Sequence, residues 1–317
     1  MFVARVASVG MTYAVVSATY GLAPTDVTWD ANPAAAGIQD GSGAWDTQGL
    51  NFHDPLTGTN DAFDNAARHE VTFGAGGNGS LVTLAAGSGI RAHGLTFNPT
   101  AAVAGYQISA AAGTALTFVG SASLTASPSD HLAYIRVSNA NSAVQINAPL
   151  VLDGASTTGL TLDPRSAADF LAVTGTITTA GHPITVQGAG IVVLKGQIIG
   201  GTTLTKSSAG PITIGDPNVG INNSGVALAA KSGTTTLNAV VVGPTYYTTV
   251  DTGTDIAVGA TVKLQTTAVS FIPRPFSLTS PTLNVSISPG GTLDLNRPSS
   301  EINALAGGGT VAGGDAA

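Results

Sequence analysis

Side chains able to carry out enzyme chemistry are sparse in this sequence, and their spacing matches no common reaction centre. Only 9% of the 317 residues are charged, and cysteine is absent, so thiolate catalysis, disulfides and cysteine-bound zinc are excluded. The histidines lack the spacing of paired metal ligands; they are His53, His69, His93, His131 and His182. The sequence therefore indicates no catalytic, cofactor-binding or metal-binding residue.

Two short segments resemble pieces of enzyme motifs. GAGGNG at residues 74–79 has the glycine spacing of a dinucleotide-binding turn, but a strand-like segment, Leu81–Leu84, follows where a helix is required. We interpret these glycines as a flexible turn. RAHG at residues 91–94 resembles one isolated fragment of the site that a pectinase-like, polysaccharide-cleaving enzyme would have. Such an enzyme is one alternative, with Asp251 and Asp255 as the acids to test, but hydrolysis needs carboxylates close together and no two aspartates are adjacent.

The acidic residues are concentrated near the N-terminus. Residues 26–70 carry eight of the 18 acids and one base, Arg68, whereas the rest of the chain has ten acids and ten bases. The eight acids are Asp26, Asp30, Asp40, Asp46, Asp54, Asp61, Asp64 and Glu70. We interpret the segment as a solvated acidic cap; Ca²⁺ binding is the alternative, although the D-x-D-x-D-G loop is missing. A net charge of −7 without a basic stripe argues against nucleic-acid binding.

Four aromatic residues are candidates for stacking against a ligand: Trp29, Trp45, Tyr246 and Tyr247. Both tryptophans lie in the acidic segment, among turn-forming residues. For these two we favour a structural role, in a cluster that covers the first layer of the fold.

From Val71 onward the sequence alternates between short strands and turns. Segments such as LTF at 116–118 and ITV at 184–186 flank a threonine with apolar residues, which is typical of half-buried strands. The pattern continues for more than 200 residues, too long for one ordinary sandwich. It favours an all-β solenoid of roughly ten coils, each of about 20–25 residues, stacked at the strand spacing of about 4.8 Å.

Two segments carry helical signals instead. Residues 163–171 (DPRSAADFL) begin with an aspartate cap and a proline in the first turn, which predicts a short helix. A helical turn is also expected within residues 61–69.

Three segments in the C-terminal half have a repeat-like pattern. They are LTKSSAGPITIG at 204–215, TTVDTGTDIAVGATVKL at 248–264, and PGGTLDLN at 289–296 with INALAGGGTV at 302–311. They resemble the autotransporter-associated β-strand repeats of bacterial autotransporter passenger domains, whose unit reads LTKxGAGTLTLSG. Pro211 and the pair Asp216-Pro217 depart from that unit.

The resemblance covers about half of the chain and implies a right-handed parallel β-helix displayed outside a bacterial cell. No long run of amphipathic strands follows in this sequence, so self-translocation through a membrane barrel is not implied. We therefore expect the chain to be either part of a longer passenger domain or a separate subunit with the same type of coil.

The apolar segment at residues 1–23 has two interpretations. It resembles a secretory signal, with Arg5 before an uncharged stretch and small residues near its end. Alternatively it is a retained cap or connector, because six residues form a heptad-like stripe: Phe2, Val6, Val9, Tyr13, Val16 and Tyr20. Those six, with Thr310 and Val311 in the last strand-like unit, are the candidate subunit contacts.

We therefore expect three regions: the apolar segment 1–23, a loop-rich acidic cap at 24–70, and a β-solenoid at 71–317. The favoured function is a non-enzymatic, extracellular structural protein of a bacterial surface fibre or sheath, with subunits joined head to tail. The alternatives are an adhesin that binds a glycan or protein, and the polysaccharide-degrading enzyme. No cofactor and no membrane span in the mature chain are expected.

Overall fold

The computed structural model describes the chain in segments: 26–75, 79–98, 105–120, 132–138, 143–155, 157–216, 223, 225–239, 241–242, 245–246, 253–266, 276–277, 284–295, 300–301 and 304–313. All regular elements within them are strands. The N-terminal strands are β1 (Asp26–Trp29), β2 (Gly43–Trp45), β3 (Phe52–Asp54), β4 (Thr59–Asp61), β5 (Glu70–Phe73), β6 (Leu81–Leu84), β7 (Arg91–Ala92), β8 (Gly94–Phe97), β9 (Tyr106–Ala110), β10 (Leu116–Phe118) and β11 (Leu132–Val137).

The central strands are β12 (Ala143–Ile146), β13 (Leu150–Leu152), β14 (Gly159–Pro164), β15 (Phe170–Val173), β16 (Ile177–Thr178), β17 (Ile184–Val186), β18 (Ile191–Leu194), β19 (Ile198–Ile199), β20 (Thr202–Lys206), β21 (Ile212–Ile214) and β22 (Val226–Ala230). The C-terminal strands are β23 (Gly233–Ala239), β24 (Val241–Val242), β25 (Thr245–Tyr246), β26 (Gly253–Ile256), β27 (Ala260–Thr266), β28 (Phe276–Ser277), β29 (Asn284–Ile287), β30 (Thr292–Asp294), β31 (Ser300–Glu301), β32 (Ala304–Gly307) and β33 (Thr310–Ala312).

Three long sheets form the faces of a coil stack. Sheet A has the order β32-β29-β26-β22-β20-β17-β14-β11-β8-β5-β1-β3-β4, sheet B the order β2-β6-β9-β12-β15-β18-β21-β23-β27-β30-β33, and sheet C the order β19-β16-β13-β10-β7. The chain passes from sheet A to sheet B, then to sheet C where that sheet is present, and returns to sheet A one strand further on. This arrangement confirms the predicted all-β parallel β-helix.

The spacing of paired residues follows the predicted coil length. Ile184 pairs with Leu204, 20 residues further on, and Val71 pairs with Leu95, 24 residues further on. Because strands in consecutive coils pair in register, residues at equivalent positions form columns that run through the stack. Successive side chains along a strand point to opposite faces, so columns that face the core alternate with columns that face outward.

The core consists of these inward columns. One column of sheet A runs through Val27, Val71, Leu95, Ile135, Leu162, Val186, Lys206, Ala230, Ile256 and Ile287. All of its apolar members are buried. Branched residues suit this position because they pack well against identical pleats above and below. Lys206 is the charged exception in this column.

The two predicted helical segments are not helices. Residues 163–171 instead contain the end of β14, a turn, and the start of β15, and the Asp169 carboxylate accepts a hydrogen bond from the Ser166 amide at 2.7 Å. The helix prediction is wrong because β14 pairs with a parallel strand on each side, and those ladder bonds outweigh a local cap signal. Residues 61–69 form the end of β4 and turns.

The solenoid begins earlier than the sequence suggested. β1 pairs in parallel with β5, and β2 pairs in parallel with β6, so residues 26–45 already supply strands of sheets A and B. The expected boundary at residue 71 therefore falls inside the coil stack. The acidic segment forms the first coil together with the hairpin that covers it.

Candidate functional site at the ends of the coil stack

An aromatic cluster fills the N-terminal end of the core. Trp29 and Trp45 are fully buried, and ring centroids lie 5.4 Å apart for Trp29 and Phe52, 5.1 Å for Trp45 and Phe63, and 4.9 Å for Phe52 and Phe63. Phe73 of the next coil packs against both tryptophans. The predicted tryptophan cap is confirmed. Neither tryptophan ring reaches the surface, so Trp29 and Trp45 are not available to stack against a ligand.

The hairpin of β3 and β4 covers the first strand of sheet A. β3 pairs antiparallel with β1, and β4 pairs antiparallel with β3. Asp30 joins the hairpin to the first coil, because its carboxylate accepts bonds from the Asn60 side-chain amide at 2.9 Å and the Gln39 backbone amide at 3.1 Å. Asp30 is 2% exposed, so these bonds replace the water that a carboxylate otherwise needs.

Four other acids of this segment accept hydrogen bonds from backbone amides, three within their own turns and Asp40 across to the next coil. The Asp46 carboxylate accepts bonds from the amides of Gln48 (2.8 Å) and Gly49 (2.6 Å). Asp54 does the same for Leu56 (2.7 Å). Asp64 caps the Ala66 amide at 2.8 Å, and Asp40 accepts from Gly74 at 3.0 Å. Aspartate is favoured in turns because its short side chain reaches its own backbone. Within the described residues no group of three metal-ligand side chains converges, here or elsewhere.

The C-terminal end of the described stack is apolar and exposed. Leu305 of β32 follows Val285 in an inward column of sheet A, and Val311 of β33 follows Leu293 in an inward column of sheet B. Val285 and Leu293 are 3% and 2% exposed, whereas Leu305 is 53% and Val311 is 41% exposed. The difference arises because no further described strand lies beyond β32 or β33.

The remaining predicted site residues divide into two groups. Thr310 lies beside Val311 on β33 and pairs with Thr292 of the preceding coil. Tyr246 belongs to β25, which pairs antiparallel with β24. Tyr247 and the six candidate contacts of the N-terminal segment lie outside the described residues: Phe2, Val6, Val9, Tyr13, Val16 and Tyr20.

Ion pairs lie along the sides of the stack. Asp163 is 6% exposed and accepts from the guanidinium groups of Arg136 and Arg165, each at 3.4 Å. Arg91 pairs with Asp153 at 2.6 Å. The Arg136–Asp163 pair links neighbouring coils and the Arg91–Asp153 pair links next-neighbouring coils, whereas Arg165 and Asp163 lie two residues apart at the end of β14.

Asp255, one acid of the enzyme alternative, pairs with Lys231 at 3.2 Å on an exposed surface. Asp251 lies outside the described residues.

A polar group on sheet A joins three coils. The Tyr134 ring lies over Gly94, where an added Cβ would come within 2.5 Å of the ring. The Arg136 guanidinium carbon is 4.6 Å from the same ring's centroid. Burial raises the pKa of the Tyr134 phenol, with a further contribution from its hydrogen bond to Glu70. Sequence reasoning missed this group, because its members come from three different strands.

The described residues contain no helix that is both long enough and apolar enough to cross a membrane. No protein family model matches the chain, nor does any curated protein or solved structure.

Proposed function

We propose that this chain is a non-enzymatic structural subunit of an extracellular bacterial fibre, in which coil stacks join head to tail. The observation that carries the proposal is the pair Leu305 and Val311, which are the last described members of two inward columns and expose apolar surface. Covering that surface with another coil removes apolar area from water, which is the main favourable term in association. The occupant to which the proposal commits is the N-terminal end of a second copy.

Strand direction supports this pairing. β3 runs opposite to β1, and β4 runs opposite to β3, so β4 has the same direction as the other strands of sheet A. β32 also runs parallel to its neighbour β29. A second copy stacked end to end would therefore place β4 beside β32 in parallel, and the ladder of sheet A would continue between subunits. A heterologous contact of this kind does not close and produces a filament.

The test is electron microscopy and sedimentation of the full chain and of the double variant Leu305→Asp/Val311→Asp. We expect filaments from the wild-type protein and single subunits from the variant, because two carboxylates would be buried at the joint. Val258→Asp is the matched control, since Val258 is 69% exposed but lies away from the end of the stack.

A mixing experiment identifies the partner surface. The double variant keeps its N-terminal end, so it should add to the C-terminal end of a wild-type filament and stop growth there. We expect small amounts of it to shorten wild-type filaments. Wild-type protein that stays monomeric at high concentration, or a double variant that still polymerises, would overturn the proposal.

A further inference from the structure

An uncharged groove crosses four coils on sheet B, away from both ends. Its volume is about 350 Å³, and the residues that line it are Gly79, Ser80, Leu81, Gly105, Tyr106, Gln107, Ala143, Val144, Gln145 and Phe170. Small residues create the depression: Gly105 lies directly beneath the Ala143 carbonyl oxygen, where a Cβ would collide. Phe170, in register with Ala143 on the next coil, forms one end of the groove.

Two glutamine amides repeat along this groove. Leu81, Gln107 and Gln145 are in register on β6, β9 and β12, so their side chains recur at the strand spacing of about 4.8 Å. The Gln145 side-chain amide donates to the Asn147 oxygen at 2.7 Å, and the Thr174 hydroxyl donates to the same oxygen at 2.5 Å. These bonds hold the Gln145 side chain in place before any ligand arrives, which reduces the ordering cost of binding.

The groove also offers apolar contact at both of its ends. Leu81 is 41% exposed, and Phe170 is half-buried, so a flat apolar face can pack between them. The Ser80 and Tyr106 hydroxyl groups are buried and lie against each other.

From this combination we propose that the groove binds a neutral saccharide chain. A sugar ring has hydroxyl groups around its edge, which suit paired amides, and an apolar C–H face, which suits Phe170 and Leu81. None of the described residues that line the groove is charged, so an anionic saccharide would lose its hydration without gaining a cation from them. The proposal does not depend on filament formation, because the groove lies within one subunit.

The test is titration calorimetry of the full chain with neutral glucose, mannose and N-acetylglucosamine hexasaccharides and with an anionic galacturonate hexasaccharide. We expect at least one neutral probe to bind and the anionic probe not to bind. Phe170→Ala and Gln145→Ala should each weaken binding by roughly tenfold. Thermal melts of the variants confirm that the fold is kept.

Two matched controls lie on the same sheet outside the groove. Ile191 is 37% exposed and in register with Phe170, and Gln265 is an exposed glutamine of β27. Ile191→Ala and Gln265→Ala should bind as the wild type does. The proposal is overturned if none of the neutral probes binds, if the anionic probe binds best, or if folded Phe170→Ala and Gln145→Ala proteins bind normally. The double variant Leu305→Asp/Val311→Asp should bind the saccharide as the wild type does. The filament proposal and the saccharide proposal can therefore fail independently of each other.

Discussion

The Lys206 ammonium group donates a hydrogen bond to the Ser232 carbonyl oxygen at 2.7 Å, from inside an apolar column of the core. It also donates to the Ser208 carbonyl oxygen. Lys206 is fully buried between Val186 and Ala230, and Ala230 is small enough to leave room for the longer side chain. The two carbonyl groups belong to turns of consecutive coils, so one side chain joins both turns. Burial lowers the pKa of Lys206 to about 8.

Lys206 should make the stability of the fold depend on pH. The unfolded chain binds this proton up to about pH 10.4, whereas the folded chain releases it above about 8, so the unfolded state holds more protons between these values. The contribution of Lys206 to the free energy of unfolding should therefore increase as the pH rises from about 8 to about 10.4, and be lost again as the pH falls.

The measurement is denaturant unfolding of wild type and Lys206→Met across that pH range. We expect the stability difference to shift in favour of the wild type as the pH rises. Lys231→Met is the control, because Lys231 is 48% exposed and its removal should give no such shift. Parallel pH profiles for wild type and Lys206→Met would show that the ammonium group titrates normally.

Removing an aromatic ring from the cap should destabilise the first coils. Phe52 is 2% exposed and contacts the rings of Trp29, Trp45 and Phe63. Phe52→Ala should lower the free energy of unfolding by about 3–5 kcal/mol, because it leaves a cavity in a packed cluster. Hydrogen exchange should show the greatest loss of protection in β1 and β2, since solenoid coils contact only their neighbours.

The control for the cap is Leu56→Ala in the turn between β3 and β4. Leu56 is 83% exposed, so the change should alter stability by less than about 0.5 kcal/mol. Equal exchange protection in Phe52→Ala and wild-type β1 would contradict the capping role.

Adding a methyl group at Gly196 should also destabilise the stack. Gly196 lies so close to the Gly175 carbonyl oxygen of the preceding coil that a Cβ cannot fit without backbone movement. Gly196→Ala should cost about 1–3 kcal/mol, measured by denaturant unfolding. Gly313→Ala has no atom within 4 Å of the new Cβ and should be nearly neutral. If both variants unfold alike, close packing at this corner does not limit the coil spacing.

The repeated pattern of the sequence was enough to predict the architecture. In a segment such as ITV at Ile184–Val186, the two apolar side chains point to one face of the strand and the threonine to the other. This alternation does not depend on which strands lie beside it. Glycine-rich turns every few residues then allow no element longer than a short strand. The tryptophan cap was predictable for a similar reason, because two large apolar side chains in a charged segment need a buried place.

Tertiary contacts decided the features that join separate coils. Asp163 and Pro164 form a good local helix signal, yet pairing on both sides of β14 makes them part of a sheet. Gln107 and Gln145 are 38 residues apart in sequence and become neighbours only through the register of β9 and β12. The sequence by itself determined that this protein is a β-solenoid, because side-chain alternation is a local property. Only the tertiary structure decided where the groove, the buried Lys206 and the exposed Leu305 lie, because each position depends on which coils stack in register.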